Sequence, residues 1–497
     1  MIGANEVVKP WKETLQAWLH PRVLTMLFLG FSAGIPILLI FSTLSAWLRE
    51  AGIERGAVTF FSWAALGYSF KFVWAPLIDK MPLPILTRYL GRRRSWMIVS
   101  QTAIIGAILW MASIDPSLSQ QHLTAMAFAA ILLGFSSATQ DIVIDAFRIE
   151  CVEEKMQAML SATYIAGYRI GMLVAGAGSL ALAGYLGTTM ESYDYRAWQF
   201  TYFGVGGCML IGILTTLITS EPERNATPSR TVYSTMEYLR FFMLFLCVVS
   251  VFATVFFYTG SITAMVKGMF LELSPLFAHS ISFLLESGRL FVALLSALLA
   301  ARGLVLLKLV DRRMVDDTYV DPVKDFFRRY GLKTAILLLL LVGFYRVSDI
   351  VLGVISTVFY LDLGFTKMEI ATIVKTFGLL MTIVGGFLGG LLTVRFGVLR
   401  ILLAGAVLSA GTNVLFMLLA GSGPDPFLLK VVIGADNLAA GLASAAFVAF
   451  LSGLTSISFT AVQYAVFSSI MSLFPKLIGG YSGTIVTGIG YQSFFLI

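Results

Sequence analysis

The succession of long apolar runs constrains this chain more than any other feature. Runs near residues 23–47, 57–80, 95–114, 122–147, 156–186 and 197–219 each hold enough residues to cross a hydrocarbon core, which takes about 17 to 25 in a helix. A charged, proline-containing stretch, 220–240, closes this group of six. Two more runs follow at 241–265 and 276–307, then a second charged linker, then runs at 334–360, 366–392, 399–420, 428–452 and 457–486. Beyond Gly490 the sequence YQSFFLI reads as the start of one further span, since seven residues rise only about 10 Å in a helix. Backbone polar groups in lipid must be satisfied internally, so the runs predict helices. The fold class is therefore an all-α polytopic membrane protein.

Composition agrees. The chain is 58% hydrophobic and 13% charged, where a soluble domain carries about 25% charge. A net charge of +7 would suggest acidic partners in a soluble protein; here the excess decorates loops, giving no reason to expect nucleic acid and making membrane lipid the expected surroundings. Of the 35 Lys and Arg residues, with Lys80, Arg302, Lys367 and Arg400 near run ends counted in the adjoining loop, 23 fall in the N-terminus and the loops on its side, 5 in the opposite loops and 7 within spans. The positive-inside bias then places the N-terminus in the cytoplasm. The first run is too long for the apolar core of a signal peptide and is read as the first span, with KPWKETLQAWLHPR before it lying along the membrane surface. The three cysteines are scattered and form neither a metal pattern nor a disulfide framework.

The runs divide the chain into a cytoplasmic segment 1–22, a six-helix bundle 23–220, a linker 221–240, an inserted helix pair 241–307, a linker 308–333 and a second bundle 334–497 whose last helix is incomplete. Two bundles of six around a central site is a transporter arrangement. The two inserted helices return the chain to the side it left, so the second bundle keeps its orientation. Gly30, Gly34 and Pro36 soften the first helix, as do Gly385, Gly386, Gly389 and Gly390 a later one, since glycine permits both bending and close helix contact.

Charges inside the spans are the candidate functional groups. Asp141 and Asp145 stand one helical turn apart on one face. A carboxylate at mid-bilayer costs about 2.5–3.5 kcal/mol and faces a partner or a water-filled space. Asp141 is the deeper of the two, and Asp145 is close in sequence to Arg148 and the loop. Asp141, Asp349 and Asp436, with Asp145 behind them, are the candidates for proton coupling, because burial and nearby cations shift proton affinity in opposite directions. Arg346 and Asp349 are spaced to pair, as are Glu286 and Arg289 in the insertion. Arg169 and Lys375 lie deep in opposite halves and lead the substrate-binding candidates, joined by Arg346 and Lys71. Tyr168, Gln140, Asn437 and Gln463 can add hydrogen bonds. No histidine pair, metal-ligand spacing, catalytic constellation or Walker lysine motif is present. The chain is expected to be a carrier without metal or cofactor, not an enzyme.

The turn APLIDKMPLPILTRYLGRRR, residues 75–94, resembles the loop between helices two and three of the major facilitator superfamily. Asp79, Gly91, Arg92, Arg93 and Arg94 carry that likeness, on a longer spacing than usual, and are expected to gate the conformational cycle. The chain is more specifically similar to the AmpG muropeptide permeases. Those residues are Phe70-Lys71-Phe72, Gln140-Asp141-Ile142-Val143, Gly167-Tyr168-Arg169, Gly171-Met172-Leu173, Lys375-Thr376-Phe377-Gly378-Leu379, Asn437-Leu438 and Ser444-Ala445-Ala446-Phe447-Val448-Ala449. The resemblance implies import of anhydro-muropeptides from periplasm to cytoplasm by alternating access in the bacterial inner membrane, with the proton gradient as energy source. It gives the basic groups a task, since a peptide-linked muropeptide carries carboxylates. The insertion at 240–332, the acid at Asp436 where some relatives have glutamate, and the short last helix depart from the family pattern. A permease for another acidic, sugar- or peptide-bearing solute stays open, as does a non-transporting receptor or scaffold. Oligomeric state is open as well.

Overall fold

The computed structural model describes residues 20–54, 61, 68, 70–153, 156–222, 233–273, 278–479 and 482–496. The amphipathic segment before Pro21 and most of the second predicted span lie outside these residues. Among the described residues there are no strands, and eleven helices are long and apolar enough to cross a membrane.

The first span starts at α1 (Pro21–Ile40), where the His20 ring accepts the Arg22 amide and Pro21 occupies the first turn. Pro36 removes a backbone donor inside α1, and the helix breaks at Phe41 before resuming as α2 (Ser42–Glu50). The described end of the second span is α3 (Ala75–Lys80). Next come α4 (Arg92–Ala112), α5 (Gln120–Glu150), capped by the Ser119 hydroxyl, α6 (Gln157–Tyr185) and α7 (Tyr195–Ile218). The inserted helices are α8 (Thr235–Leu273) and α9 (Ala278–Leu306). The span expected at 334–360 is two helices, α10 (Leu332–Phe344) and α11 (Val347–Asp362), interrupted at Arg346. Then follow α12 (Gly378–Phe396), α13 (Val398–Ser422), α14 (Pro426–Leu454), α15 (Thr460–Gly479) and α16 (Ser482–Leu496). Asp425 caps α14 through the Phe427 and Leu428 amides.

Three boundaries differ from the sequence reading. The helix entering α12 is wide, with π geometry over Ile370–Phe377, and starts from a reciprocal cap in which Thr366 and Glu369 exchange hydrogen bonds. The Thr366 amide and hydroxyl hold the Glu369 carboxyl below its usual range. The run expected at 457–486 starts at Thr460 and, from Ser482, is helical to a kink at Gly490 (φ +77°), the residue beyond which the sequence places the start of a further span. The inserted α8 runs six residues earlier and eight later than expected, because both its ends are helical beyond the apolar core.

Glycine sets the tightest helix crossings. A Cβ on Gly34 of α1 would stand 2.0 Å from the Tyr168 carbonyl oxygen of α6, and one on Gly167 2.0 Å from that of Leu27. The second bundle repeats the device between α12 and α14: a Cβ on Gly385 would stand 2.1 Å from the Leu438 oxygen, and one on Gly441 2.2 Å from that of Thr382. Backbones this close gain packing that lipid cannot supply.

The chain forms two compact units. Met1–Ala226 and Tyr330–Ile497 make one, holding both bundles, which meet where α6 packs on α12 and α14 and where α15 packs on α3 and α5. Thr227–Arg329 makes the other, in which α8 and α9 pack as a hairpin. There Arg289 lies over the Phe256 ring, 3.8 Å from its centroid, and donates to the Phe256 carbonyl at 2.8 Å. The side chain of Glu286, its expected partner, lies outside the described residues.

Candidate functional site

The two bundles meet at a charged cluster on the end of the molecule that carries Lys80, Arg92 and the α5–α6 connection. Gly91 adopts φ +84°, and a Cβ there would stand 2.5 Å from Glu221. That space lets the Glu221 carboxylate accept the Arg93 and Arg94 amides at 2.7 and 3.1 Å, placing an anion on the N-terminus of α4. Arg94 donates to the terminal carbonyls of α7, Thr216 at 2.9 Å and Leu217 at 2.7 Å. Arg93, 1% exposed, pairs with Asp79 at 2.7 Å and grips Glu150 through two bonds, 2.9 and 2.6 Å. Arg92 adds looser pairs to Asp79 and Glu150 at 4.0 and 3.8 Å, and donates to the Asp79 carbonyl.

This cluster reaches across to the second bundle. Arg93 donates to the Thr460 hydroxyl at 2.8 Å, and Thr460 donates to Glu150 at 2.5 Å. Arg148 of α5 donates to Ser452 at 2.8 Å and lies over Tyr464, 5.1 Å from the ring centroid. Lys80 stands over Phe459 at 5.2 Å. The halves are therefore closed together at this basic end by charge-assisted bonds, the stronger class of hydrogen bond. Gln463 belongs here: its side chain accepts the Ser456 amide at 2.7 Å, fixing the α14–α15 turn.

One turn further along α5, Asp145 is buried between Lys71 at 3.6 Å and Arg148 at 3.4 Å. Its sequence proximity to the loop had suggested a boundary position; the burial comes from α5 continuing to Glu150 beneath the neighbouring helices. Asp141, also buried, receives the Tyr164 hydroxyl at 3.5 Å and lies within electrostatic reach of Lys71 and Asp145. Tyr164 and Tyr168 pack with ring centroids 6.1 Å apart, and Tyr68, bonded to Ser137 at 2.5 Å, feels the Asp141 charge. Gln140 points elsewhere: it donates to Ser32 of α1 at 3.0 Å and is fully buried.

The second bundle supplies a matching polar layer. Arg346 sits at the break between α10 and α11, 3.0 Å from Asp349, and donates to Ser444 of α14 at 2.5 Å. Ser409 donates to Asp349 at 2.8 Å, and Thr412 to Asp436 at 3.1 Å. Asp349 and Asp436 lie within electrostatic reach of each other. Asn437 accepts from Thr382 at 2.8 Å and thereby ties α14 to α12. Arg169, half-buried at the middle of α6, lies within electrostatic reach of Arg346 across the two halves. Its one described hydrogen bond goes to the Met172 sulfur at 3.8 Å. Lys375 is exposed on the wide entrance to α12 and makes no described ion pair.

Arg169 and Arg346 are therefore the cations of the two halves that lie within electrostatic reach of each other. Guanidinium forks from opposite halves suit a carboxylate better than two point charges would. Sequence reasoning overlooked Tyr164, Glu150 and Thr460, and gave Arg148 only a local role. Tyrosines at one-turn spacing, Tyr164 and Tyr168, were the available signal for the first; Glu150 and Thr460 meet only through the fold.

A family model described as acetyl-coenzyme A transporter 1 matches residues 22–221. A putative transporter AmpG 4 from Rickettsia conorii is 31% identical over 475 residues, covering 96% of this chain and 92% of that protein. The anhydromuropeptide permease of Escherichia coli K12 is 28% identical, with 97% and 78% covered. Among solved structures, the proton:xylose symporter XylE aligns with a TM-score of 0.54 at 11% identity, covering 98% of this chain and 93% of that one. The fucose:proton symporter FucP aligns with a TM-score of 0.53 at 12% identity, covering 95% and 94%. These two carry the fold alone, that of the major facilitator superfamily. The near full-length relationship goes further: this chain is a membrane transporter with that fold and belongs to the AmpG family.

Proposed function

We propose that this permease imports anhydro-muropeptides across the bacterial inner membrane, driven by the proton gradient, by alternating access around the polar layer between its two bundles. The observation that carries the reading is that each half brings a guanidinium to the layer where they pack: Arg169 on α6, and Arg346 bonded to Ser444 of α14, the helix on which α6 packs. A solute carboxylate bridging them would give Arg169 an anionic partner, add to the Asp349 pair already on Arg346 and draw the halves together. Tyr164 and Tyr168 offer aromatic faces and hydroxyls for sugar contacts. The named activity of the Escherichia coli relative supports the solute class. Asp141, Asp349 and Asp436 are the proposed proton carriers: Asp141 and Asp436 each take a single described hydroxyl, and Asp349, paired with Arg346, lies within electrostatic reach of Asp436.

With the N-terminus inside, the closed basic end faces the cytoplasm, the arrangement of a carrier ready to accept solute from the periplasm. The test is uptake by purified protein in sealed vesicles under an imposed inward proton gradient, comparing anhydro-muropeptide with unrelated peptides and sugars. Accumulation of the muropeptide above the gradient-free control is expected, with Arg169→Ala and Arg346→Ala each losing binding. Uptake of a different acidic solute in preference would favour a permease of other specificity. Binding without flux would favour a receptor.

A further inference from the structure

At the end of the inserted hairpin where α8 begins and α9 finishes, a cleft of about 400 Å³ is lined by Glu237, Arg240, Lys308, Asp311 and Arg312 over an apolar floor that includes Val305 and Val310. We propose that this cleft binds the headgroup of an anionic phospholipid. Its depth fits: the membrane-crossing parts of the two helices begin at Thr235 and end at Leu306, so the cleft lies at the bilayer surface. Its rim fits as well, because Leu306 and Leu307, each 71% exposed, and Met236, 58% exposed, project beside it where acyl chains would lie.

Charge bookkeeping inside the cleft leaves cations over. The Glu237 carboxylate is engaged by the Ser234 amide at 2.6 Å, and the Asp311 carboxylate by the Arg313 amide at 2.8 Å. Arg312 reaches Asp316 at 3.6 Å. No ion pair of Arg240 or Lys308 closes among the described residues, although Arg240 lies within electrostatic reach of Glu237. Lys308 is placed by the helix end itself. It adopts φ +58°, with its amide bonded to the Val305 carbonyl and the following amide to that of Leu304, a turn that ordinarily favours glycine. Two uncommitted cations above an apolar floor at membrane depth match a phosphodiester whose tails remain in the bilayer. An anion free in water would gain nothing from the exposed leucines.

The turn also supplies a variant that folds. Lys308→Gly removes the cation and relieves the left-handed backbone, while Arg240→Gln removes the second charge from an exposed site. Full-length protein would be purified, delipidated and titrated with phosphatidylglycerol in phosphatidylcholine nanodiscs, with retained lipid counted by native mass spectrometry. Each substitution is expected to weaken phosphatidylglycerol retention about fivefold, the effect of one interfacial cation, with thermal stability unchanged or raised. Retention at wild-type strength in the double variant would overturn the proposal. So would displacement of the lipid by millimolar inorganic phosphate, which would identify a free-anion site instead.

Discussion

Asp141 is the residue on which the coupling proposal is most exposed to test. It is buried beside Lys71 and Asp145, and among the described residues its direct partner is the Tyr164 hydroxyl, so a proton can arrive or leave without dismantling a direct ion pair. Asp141→Asn keeps size and hydrogen-bonding capacity while removing titration. Solute binding is expected to survive and gradient-driven accumulation to fall to the gradient-free level; coupled flux at the wild-type rate would transfer the role to Asp349 or Asp436. Arg93 makes a second residue-scale prediction. Arg93→Lys keeps the charge but loses the fork that spans Glu150, Asp79 and Thr460. Hydrogen bonds to charged groups contribute about 1.5–3 kcal/mol each. Losing one should shift the closed-to-open ratio at the basic end by about tenfold or more, readable as a longer distance between spin labels at Arg88 and Ser458. Both residues were legible in the sequence, one as an acid inside an apolar run and the other in a basic turn. Their partners were not: Glu150 and Thr460 are 310 positions apart, and no local pattern joins them.

Among elements, the helices themselves were readable from hydrophobic length, while their interruptions were not. Gly343 is the one local hint of the break at Arg346, where a pair with Asp349 one turn on and a tertiary bond to Ser444 hold the ends of α10 and α11. Of the two roles the sequence allows the glycines of α1, bending and close contact, the fold uses the second. Gly34→Ala would drive a Cβ to 2.0 Å from a backbone oxygen, which cannot move without separating α1 from α6. Overpacking of that kind costs about 1–3 kcal/mol, so the variant should melt at lower temperature. Gly106→Ala is the matching control: its Cβ would meet nothing within 4 Å, and alanine in a helix interior should gain up to about 1 kcal/mol. Equal thermal stability of the two variants would show that close α1–α6 contact is unimportant to the fold.

On the scale of the whole molecule, the parity of the inserted hairpin is what lets two bundles of six share one chain. A single inserted helix would invert the second bundle and put its polar layer on the wrong topology; two leave it unchanged. The fold adds that Thr227–Arg329 is a compact unit of its own, and that the first and second bundles contact each other directly through α6 with α12 and α14, and through α15 with α3 and α5. The described bonds that close the basic end, and those of Arg346, all join residues of the unit that holds the two bundles. Replacing residues 227–329 with a flexible polar linker is therefore expected to leave a correctly inserted protein whose vesicle uptake is comparable to that of the full chain. The same variant should lose the retained phosphatidylglycerol assigned to the hairpin, so lipid binding and transport separate in one preparation. Abolished uptake in a variant shown to be folded and inserted would make the hairpin part of the transport cycle, and with it the lipid at its end.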